Sequence, residues 1–136
     1  MEIRTIACEQ TWELRHQVMW PDRELDYVKL PDDPDGVHFG LYAGDVLVSV
    51  ISLFRQDGAV QFRKFATLQR EQGKGYGAKL LEYAMEQARS WGAELIWCNA
   101  RTNKAGYYEK FGLAQTDIRS SKGGKDYVRM EMRFVR

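Results

Sequence analysis

The chain has 136 residues with a formal net charge of +1, of which 44% are hydrophobic and 29% charged. These values are typical of a soluble globular protein, and we expect one domain spanning residues 1–136. A dedicated nucleic-acid-binding protein usually has a strong basic excess, so we expect no nucleic-acid partner. No apolar run approaches the length of a membrane span, and the start of the sequence has no signal-peptide core. We therefore expect no membrane partner and a cytoplasmic location.

The N-terminal part of the chain predicts a strand followed by a helix. Residues 2–7 have the composition of a short strand, and residues 9–19 place apolar side chains at helical spacing. Pro21 ends this helix, because a proline disfavours helical backbone in the residue before it. Residues 22–36 contain prolines and acids and predict an irregular segment.

The middle of the chain predicts strands joined by tight turns. These strands cover residues 37–43, 46–54 and 59–67, where apolar and β-branched side chains predominate. The connections Ala43-Gly44-Asp45 and Gln56-Asp57-Gly58 carry the glycine and aspartate that are typical of hairpin turns.

A glycine-rich loop, Gln72-Gly73-Lys74-Gly75-Tyr76-Gly77, precedes a helix that we predict over residues 78–91. Glycine lets the backbone approach a bulky anion without a clash with a Cβ atom. The first turn of a helix has N–H groups without intrahelical partners and the positive end of the helix dipole. The loop therefore predicts a binding site for phosphate or pyrophosphate.

Three phosphate-binding patterns compete for this loop. A mononucleotide P-loop ends in Lys followed by Ser or Thr, which the loop lacks. Gly73-x-Gly75-x-x-Ala78 fits a relaxed dinucleotide fingerprint, but residues 68–72 separate it from the preceding strand. The third pattern, [QR]-x-x-G-x-[GA], matches Gln72, Gly75 and Gly77. A glycine-rich turn before an ordinary helix is the structural alternative.

The C-terminal part predicts a buried strand over residues 93–99. Gly92 lies between this strand and the preceding helix, at the position of a left-handed cap. Two final strands are predicted at residues 114–119 and 126–135. The two cysteines, Cys8 and Cys98, lie in apolar stretches and lack the spacing of metal ligands. We interpret them as packed free thiols of a reducing compartment and predict no metal site.

Several segments resemble the GNAT N-acetyltransferase superfamily. The loop Gln72–Gly77 is similar to its acyl-CoA pyrophosphate loop, and Ala100–Leu113 is similar to its segment A-x-x-[FY]-Y-E-K-x-G-[FL]. Residues 63–67 resemble the strand whose backbone holds the pantetheine arm of the cofactor. Residues 14–21 are similar to the first helix of small members of the ElaA and YjcF type.

This resemblance implies an α/β fold, a single-domain GNAT-like mixed central sheet flanked by helices and splayed between the fourth and fifth strands. The predicted elements follow the order of that fold. In the superfamily the acyl-CoA arm enters the splay, which here would lie between residues 61–67 and 94–99. The implied cofactor is therefore acetyl-CoA, acting as a cosubstrate.

The resemblance also implies which residues contact the cofactor. Backbone amides from Gly73 to Gly77 would hold the pyrophosphate, and an amide near Phe65 or Ala66 would polarise the thioester oxygen. Lys74 either contacts a phosphate or is a solvated lysine, and Asn103 either contacts the cofactor or caps a helix. The implied cofactor-binding residues are Phe65, Ala66, Thr67, Gln72, Gly73, Lys74, Gly75, Tyr76, Gly77, Asn99 and Asn103.

Tyr108 stands directly before Glu109-Lys110, where the superfamily frequently has its catalytic tyrosine. The resemblance implies that Tyr108 is the general acid, since a phenol near the thioester sulfur can protonate the departing thiolate. The structural alternative is a tyrosine packed in its helix. The sequence does not identify a general base. Glu24, Asp26 and His38 are weak candidates that would act through water.

The predicted reaction transfers an acetyl group from acetyl-CoA to a primary amine, which attacks the thioester directly. The acceptor is a small-molecule or peptide amine, and the superfamily also suggests a homodimer. Residues 22–35 contain six acids and two basic residues, which predicts either an acidic rim that attracts a cationic amine or a solvated loop. The alternative function is a non-catalytic acyl-CoA-binding or sensor module on the same fold.

Overall fold

The computed structural model describes residues 1–135, which form strands, α-helices and short 3-10 turns. The strands are β1 (Glu2–Ile6), β2 (Val37–Ala43), β3 (Val46–Gln56), β4 (Ala59–Thr67), β5 (Leu95–Arg101), β6 (Ala114–Lys122) and β7 (Lys125–Arg133). The α-helices are α1 (Glu9–Met19), α2 (Tyr76–Ser90) and α3 (Ala105–Glu109). The 3-10 turns lie at Leu25–Val28, Asp33–Asp35, Gln69–Glu71 and Thr102–Lys104.

The strands hydrogen-bond in the order β1-β2-β3-β4-β5-β7-β6. The pairs β1–β2, β2–β3, β5–β7 and β6–β7 are antiparallel, whereas β4 and β5 are parallel. The parallel register joins Ala59–Gln61 to Leu95–Trp97, at the N-terminal ends of both strands. This short pairing is consistent with the predicted splay. The prediction of an α/β fold with a mixed central sheet and flanking helices is confirmed.

The chain divides into two compact units. The first consists of Met1–Phe54 and Phe62–Glu86, and the second of Arg55–Gln61 and the chain from Gln87 onward. The division falls inside β3, β4 and α2, so each of these elements contributes residues to both units. None of the helices within residues 1–135 has the length and apolar character needed to cross a lipid bilayer.

In the first unit, α1 packs through its apolar side against strand residues. Leu14 forms a buried cluster with Ile6, Val50 and Ala66. Burial of each large aliphatic side chain in such a cluster contributes about 1.5–3 kcal/mol. The helix ends at Met19, as predicted from the proline that follows.

Helix α2 begins two residues earlier than predicted, at Tyr76 rather than Ala78. Gly75 has a φ of 85°, which is incompatible with a right-handed helix, so the helix starts directly after it. At the other end, Gly92 has a φ of 81° and donates its N–H to Arg89 O at 3.0 Å. The predicted left-handed residue after this helix is therefore confirmed.

In the second unit, β5 and β7 bury one face of their antiparallel pair. Ile96 and Cys98 on β5 and Val128 and Met130 on β7 are each at most 3% exposed. Because side chains alternate along a strand, the intervening residues of both strands lie on the opposite face. Strands β6 and β7 meet at a tighter turn than predicted, since they extend to Lys122 and from Lys125.

The two cysteines have different environments. Cys98 is buried in β5, as predicted, and burial raises its pKa to about 12. Cys8 is only half-buried and lies directly before α1 instead of inside a strand. Both are free thiols.

Candidate functional site

The glycine-rich loop of the first unit is open above its backbone. Gly73 and Gly75 have φ values of 83° and 85°, in the left-handed region that favours glycine. A Cβ atom built on either residue would meet no other atom within 4 Å. Lys79 donates the hydrogen bond to Gly75 O at 3.1 Å, so the amides of Tyr76, Gly77 and Ala78 precede the intrahelical bonds. This is the backbone arrangement that binds a phosphate group.

A side-chain hydrogen bond and an ion pair stabilise this loop. Gln72 donates from Nε2 to Thr67 O at 3.0 Å, which ties the loop to the end of β4. Lys74 and Glu71 form an ion pair at 2.9 Å between Nζ and Oε2, and this hydrogen bond raises the pKa of Lys74. Lys74 is therefore held beside Glu71 as a cation whose charge that carboxylate balances.

Strand β4 has an irregular backbone at Lys64, next to the predicted pantetheine-binding residues. Lys64 has a φ of 55°, which is rare for a residue with a side chain and marks local strain. Beyond it, Ser49 Oγ donates to Ala66 O at 3.2 Å and lies 2.8 Å from Thr67 Oγ1. This feature was not predictable from the sequence, because lysine is not a residue that favours left-handed backbone.

The second unit contains the remaining predicted cofactor residues. Asn99 is exposed on β5, directly opposite Arg129 of β7. Asn103 is exposed in the turn Thr102–Lys104, and the residue at the N-cap of α3 is Lys104, without a side-chain cap bond. The interpretation of Asn103 as the cap of this helix is therefore wrong, because Asn103 lies inside the 3-10 turn that leads into α3.

Tyr108 lies in α3, is half-buried and contacts the aromatic ring of its chain neighbour. Its ring meets that of Tyr107 at a centroid distance of 5.4 Å, and Tyr107 also contacts Phe111 at 5.2 Å. Burial raises the pKa of the Tyr108 phenol above its ordinary value, and Cys98 and Tyr107 raise it further. Tyr108 is therefore a protonated phenol at neutral pH, which is the form that can donate a proton or a hydrogen bond.

His38 is not suited to act as a base, because both ring nitrogens are engaged. Its Nε2 lies 2.9 Å from Asp33 O, and its Nδ1 lies 2.7 Å from Ser52 Oγ. A carbonyl oxygen only accepts, so Nε2 carries the proton and a neutral ring accepts from the Ser52 hydroxyl at Nδ1. His38 is 4% exposed and is a satisfied strand histidine.

The acidic segment between α1 and β2 is less acidic at its surface than the sequence predicts. Asp33 is only 2% exposed, Asp32 lies 3.3 Å from Arg63, and Asp26 pairs with Lys29 at 2.8 Å. Three of the six acids thus face a cation, which leaves the predicted acidic rim only partly neutralised. Within residues 1–135, no group of three or more His, Cys, Asp or Glu side chains is arranged to hold a metal ion.

A buried ion pair, which the sequence did not reveal, organises this segment. Arg15 is 0% exposed and donates from Nη1 and Nη2 to both carboxylate oxygens of Asp33, at 2.8 and 2.9 Å. It also donates to Val28 O at 3.0 Å and to Ser52 Oγ at 2.9 Å. Burial acts to raise the pKa of Asp33, but hydrogen bonds from Arg15, the Leu30 amide and Trp12 outweigh it and hold that pKa below its ordinary value.

The sequence and fold place the chain among known proteins. Residues 5–113 match the sequence model of the family described as Acetyltransferase (GNAT) family. The chain is 30% identical over 121 residues to the uncharacterized N-acetyltransferase YitI of Bacillus subtilis (strain 168), with 82% of this chain and 81% of that protein covered. The chain therefore belongs to the GNAT acetyltransferase family, and the predicted class, an acyl-CoA-dependent N-acetyltransferase, is confirmed.

Solved structures of the same fold include two bacterial proteins. A Bacillus subtilis acetyltransferase in complex with CoA has a TM-score of 0.79 and 21% identity, and the match covers 98% of this chain and 99% of that chain. Escherichia coli ElaA has a TM-score of 0.80 and 17% identity, and the match covers 96% and 97% of the two chains. The predicted similarity to ElaA is thus confirmed at the level of the fold.

Proposed function

We propose that the protein transfers an acetyl group from acetyl-CoA to a primary amine, which attacks the thioester directly. The observation that carries this proposal is the loop Gln72–Gly77, where left-handed glycines leave open space above backbone amides that precede the first bonds of α2. In this proposal the amides bind the pyrophosphate of the cofactor. The predicted residues of β4, together with Asn99 and Asn103, contact the rest of the cofactor.

The reaction requires no covalent enzyme intermediate. The amine nitrogen forms a bond to the acetyl carbon, the carbon–sulfur bond breaks, and the amine releases a proton to water or a base reached through water. The thiolate of CoA takes a proton from Tyr108, and the resulting phenolate regains a proton from solvent, so that the enzyme returns to its starting state. A backbone amide beside the strained Lys64 stabilises the oxyanion of the intermediate.

Titration calorimetry with acetyl-CoA tests the loop, with ATP and NAD as controls for the competing loop patterns. Gly75→Glu places a carboxylate and a Cβ atom at the proposed pyrophosphate site and should abolish saturable binding. Gly44→Glu is the matched control, because Gly44 also has a positive φ, of 64°, and open space around it, but lies in a hairpin turn. Equal losses from both variants, or binding of ATP or NAD instead, would overturn the proposal.

The role of Tyr108 separates an enzyme from a non-catalytic CoA-binding module. We expect Tyr108→Phe to keep acetyl-CoA affinity and to lower kcat about 100-fold or more, as for loss of a general acid. Tyr107→Phe, at the neighbouring position of the same helix, should change kcat little. An unchanged kcat in Tyr108→Phe would remove Tyr108 from the mechanism, and CoA binding without turnover of any amine by the natural chain would favour the sensor module.

A further inference from the structure

The glycine-rich loop contains an ion pair between the loop and the turn before it. Lys74 stands between Gly73 and Gly75, and its Nζ lies 2.9 Å from Oε2 of Glu71, the last residue of the 3-10 turn Gln69–Glu71. Within residues 1–135, Lys74 is the only cation within ion-pair distance of this carboxylate. All of these residues belong to the first unit. The ion pair thus lies within the segment that carries the proposed pyrophosphate site.

The two partners of this ion pair differ in exposure. The side chain of Glu71 retains 19% of its accessible surface, whereas that of Lys74 retains 54%. Lysine carries its ammonium on a flexible four-carbon chain, with N–H donors that can turn to another acceptor. The space above the flanking glycines is open, since a Cβ atom on Gly73 or Gly75 would meet no other atom within 4 Å. Glu71 is therefore the fixed partner, and Lys74 is the partner that can move.

The charges around the loop favour an anion as the alternative partner of Lys74. Residues 68–79 contain three basic residues, Arg70, Lys74 and Lys79, and one acid, Glu71, which gives a net charge of +2. The hydrogen bond to Glu71 raises the pKa of Lys74, and the positive charge of Arg70 opposes this effect. In the free protein the Glu71 carboxylate therefore gives Lys74 what an anionic ligand would also supply, an acceptor with a negative charge.

We infer that Glu71 and the pyrophosphate of acetyl-CoA compete for Lys74, whose ammonium pairs with Glu71 in the free protein and with a phosphate oxygen in the complex. This inference rests on the proposed function, because it requires the cofactor to bind at this loop. Two anions that shared one ammonium would face each other at short distance, and like charges repel. The exchange leaves the Glu71 carboxylate to water, and the loss of its ion pair lowers the affinity for the cofactor.

The exchange also affects the release of the product. CoA keeps its pyrophosphate after the acetyl group has been transferred, so the loop binds substrate and product through the same contacts. Product release limits kcat in many enzymes, and equal tightening of substrate and product does not accelerate the chemical step. The return of Lys74 to Glu71 offsets part of the lost phosphate contact. We therefore expect CoA to dissociate faster from the natural chain than from a variant without the Glu71 charge.

Titration calorimetry with acetyl-CoA on a double-mutant cycle tests this exchange. Glu71→Gln removes the competing charge and should tighten binding about 2- to 5-fold, the effect of a partly exposed ion pair. Lys74→Gln removes the proposed phosphate contact and should weaken binding about 10-fold, as for a hydrogen bond to a charged group. Adding Glu71→Gln to Lys74→Gln should change the affinity little further. Glu82→Gln, which removes an exposed carboxylate from α2, is the matched control and should leave the affinity unchanged.

Three results would overturn the inference while the natural chain still binds acetyl-CoA. Unchanged or weaker binding by Glu71→Gln would show that the ion pair only holds the shape of the loop. An equal gain with and without Lys74 would show that Glu71 acts on the cofactor directly. In a crystal structure of the CoA complex, Lys74 should lie within hydrogen-bond distance of a phosphate oxygen and beyond ion-pair distance of Glu71; an ion pair that persists there would contradict the exchange.

Failure of the proposed function gives a different result. The natural chain would then show no saturable binding of acetyl-CoA, and the exchange would be wrong together with the cofactor site. Saturable binding that is weakened by Gly75→Glu but unaffected by Glu71→Gln would keep the proposed function and remove the exchange alone.

Discussion

Arg15 in the first unit and Arg129 in the second both pair with a carboxylate, but they use opposite parts of the guanidinium. Arg15 engages both terminal nitrogens, with Asp33, Ser52 and a carbonyl, while its Nε has no hydrogen-bond partner within residues 1–135. Arg129 engages Nε with Glu131 and remains partly exposed.

The difference follows from burial. A donor removed from water must find a partner in the protein, which is why the fully buried Arg15 is surrounded by acceptors. Water hydrates the donors of a partly exposed side chain at little cost, so Arg129 needs fewer acceptors from the protein. The same type of ion pair is therefore enclosed by acceptors in the first unit and partly hydrated in the second.

The largest effect on stability is expected from Arg15→Met. It leaves the carboxylate of Asp33 buried without its cation, which typically costs about 3–5 kcal/mol. Urea unfolding should show this as a lower midpoint with an unchanged slope. The double variant Arg15→Met, Asp33→Asn should recover part of the loss, because it removes the uncompensated charge. A single variant as stable as the natural chain would show that the pair does not hold the segment between α1 and β2.

As the pH falls, we expect a smaller loss of folding stability from the same ion pair. The pKa of Asp33 is held below its ordinary value in the folded protein, so the folded state binds this proton less readily than the unfolded chain. Stability from Asp33 is then fully present above about pH 4, the ordinary value for aspartate, and is lost as the pH falls through the folded pKa. Unfolding free energies between pH 6 and pH 3 should fall less steeply in Asp33→Asn than in the natural chain.

The smallest effect on stability is expected from Arg129→Met. Partly exposed ion pairs contribute about 0–1 kcal/mol, and the cation over Trp97 adds a similar amount. Urea unfolding of Arg129→Met and Arg15→Met under the same conditions compares the two losses of stability directly. A loss as large as that of Arg15→Met would show that Arg129 is a structural residue, and would weaken the comparison drawn between the two arginines.

The sequence predicted the order of the elements and most of their bounds. Alternating apolar residues define β2 to β4, and glycines mark the turns at Gly44 and Gly58, because these signals are local. The register of β5 on β7 was not predictable, since it joins residues far apart in the chain. The stack of Arg129 on Trp97 depends on that register.

Two other features were not predictable from the sequence, for physical reasons. Arg15 follows Leu14 in α1, and an arginine at such a position is usually solvated. Its burial is possible because it pairs with Asp33, which lies in a segment that the sequence predicted as irregular and acidic. The left-handed backbone of Lys64 is imposed by its surroundings against the preference of its own side chain. The candidate cofactor loop was predictable because its signal is glycine, whose backbone freedom is intrinsic.

The buried Cys98 has a practical consequence for labelling chemistry. Thiolates, not thiols, react with maleimides, and a pKa of about 12 together with burial keeps Cys98 protonated and shielded at neutral pH. Cys8 is slowed by its hydrogen bond to Glu9, which raises its pKa, but it is accessible at the start of α1. The natural chain thus offers one attachment point for a fluorophore while folded. A second modified thiol would signal that the core of the second unit has opened.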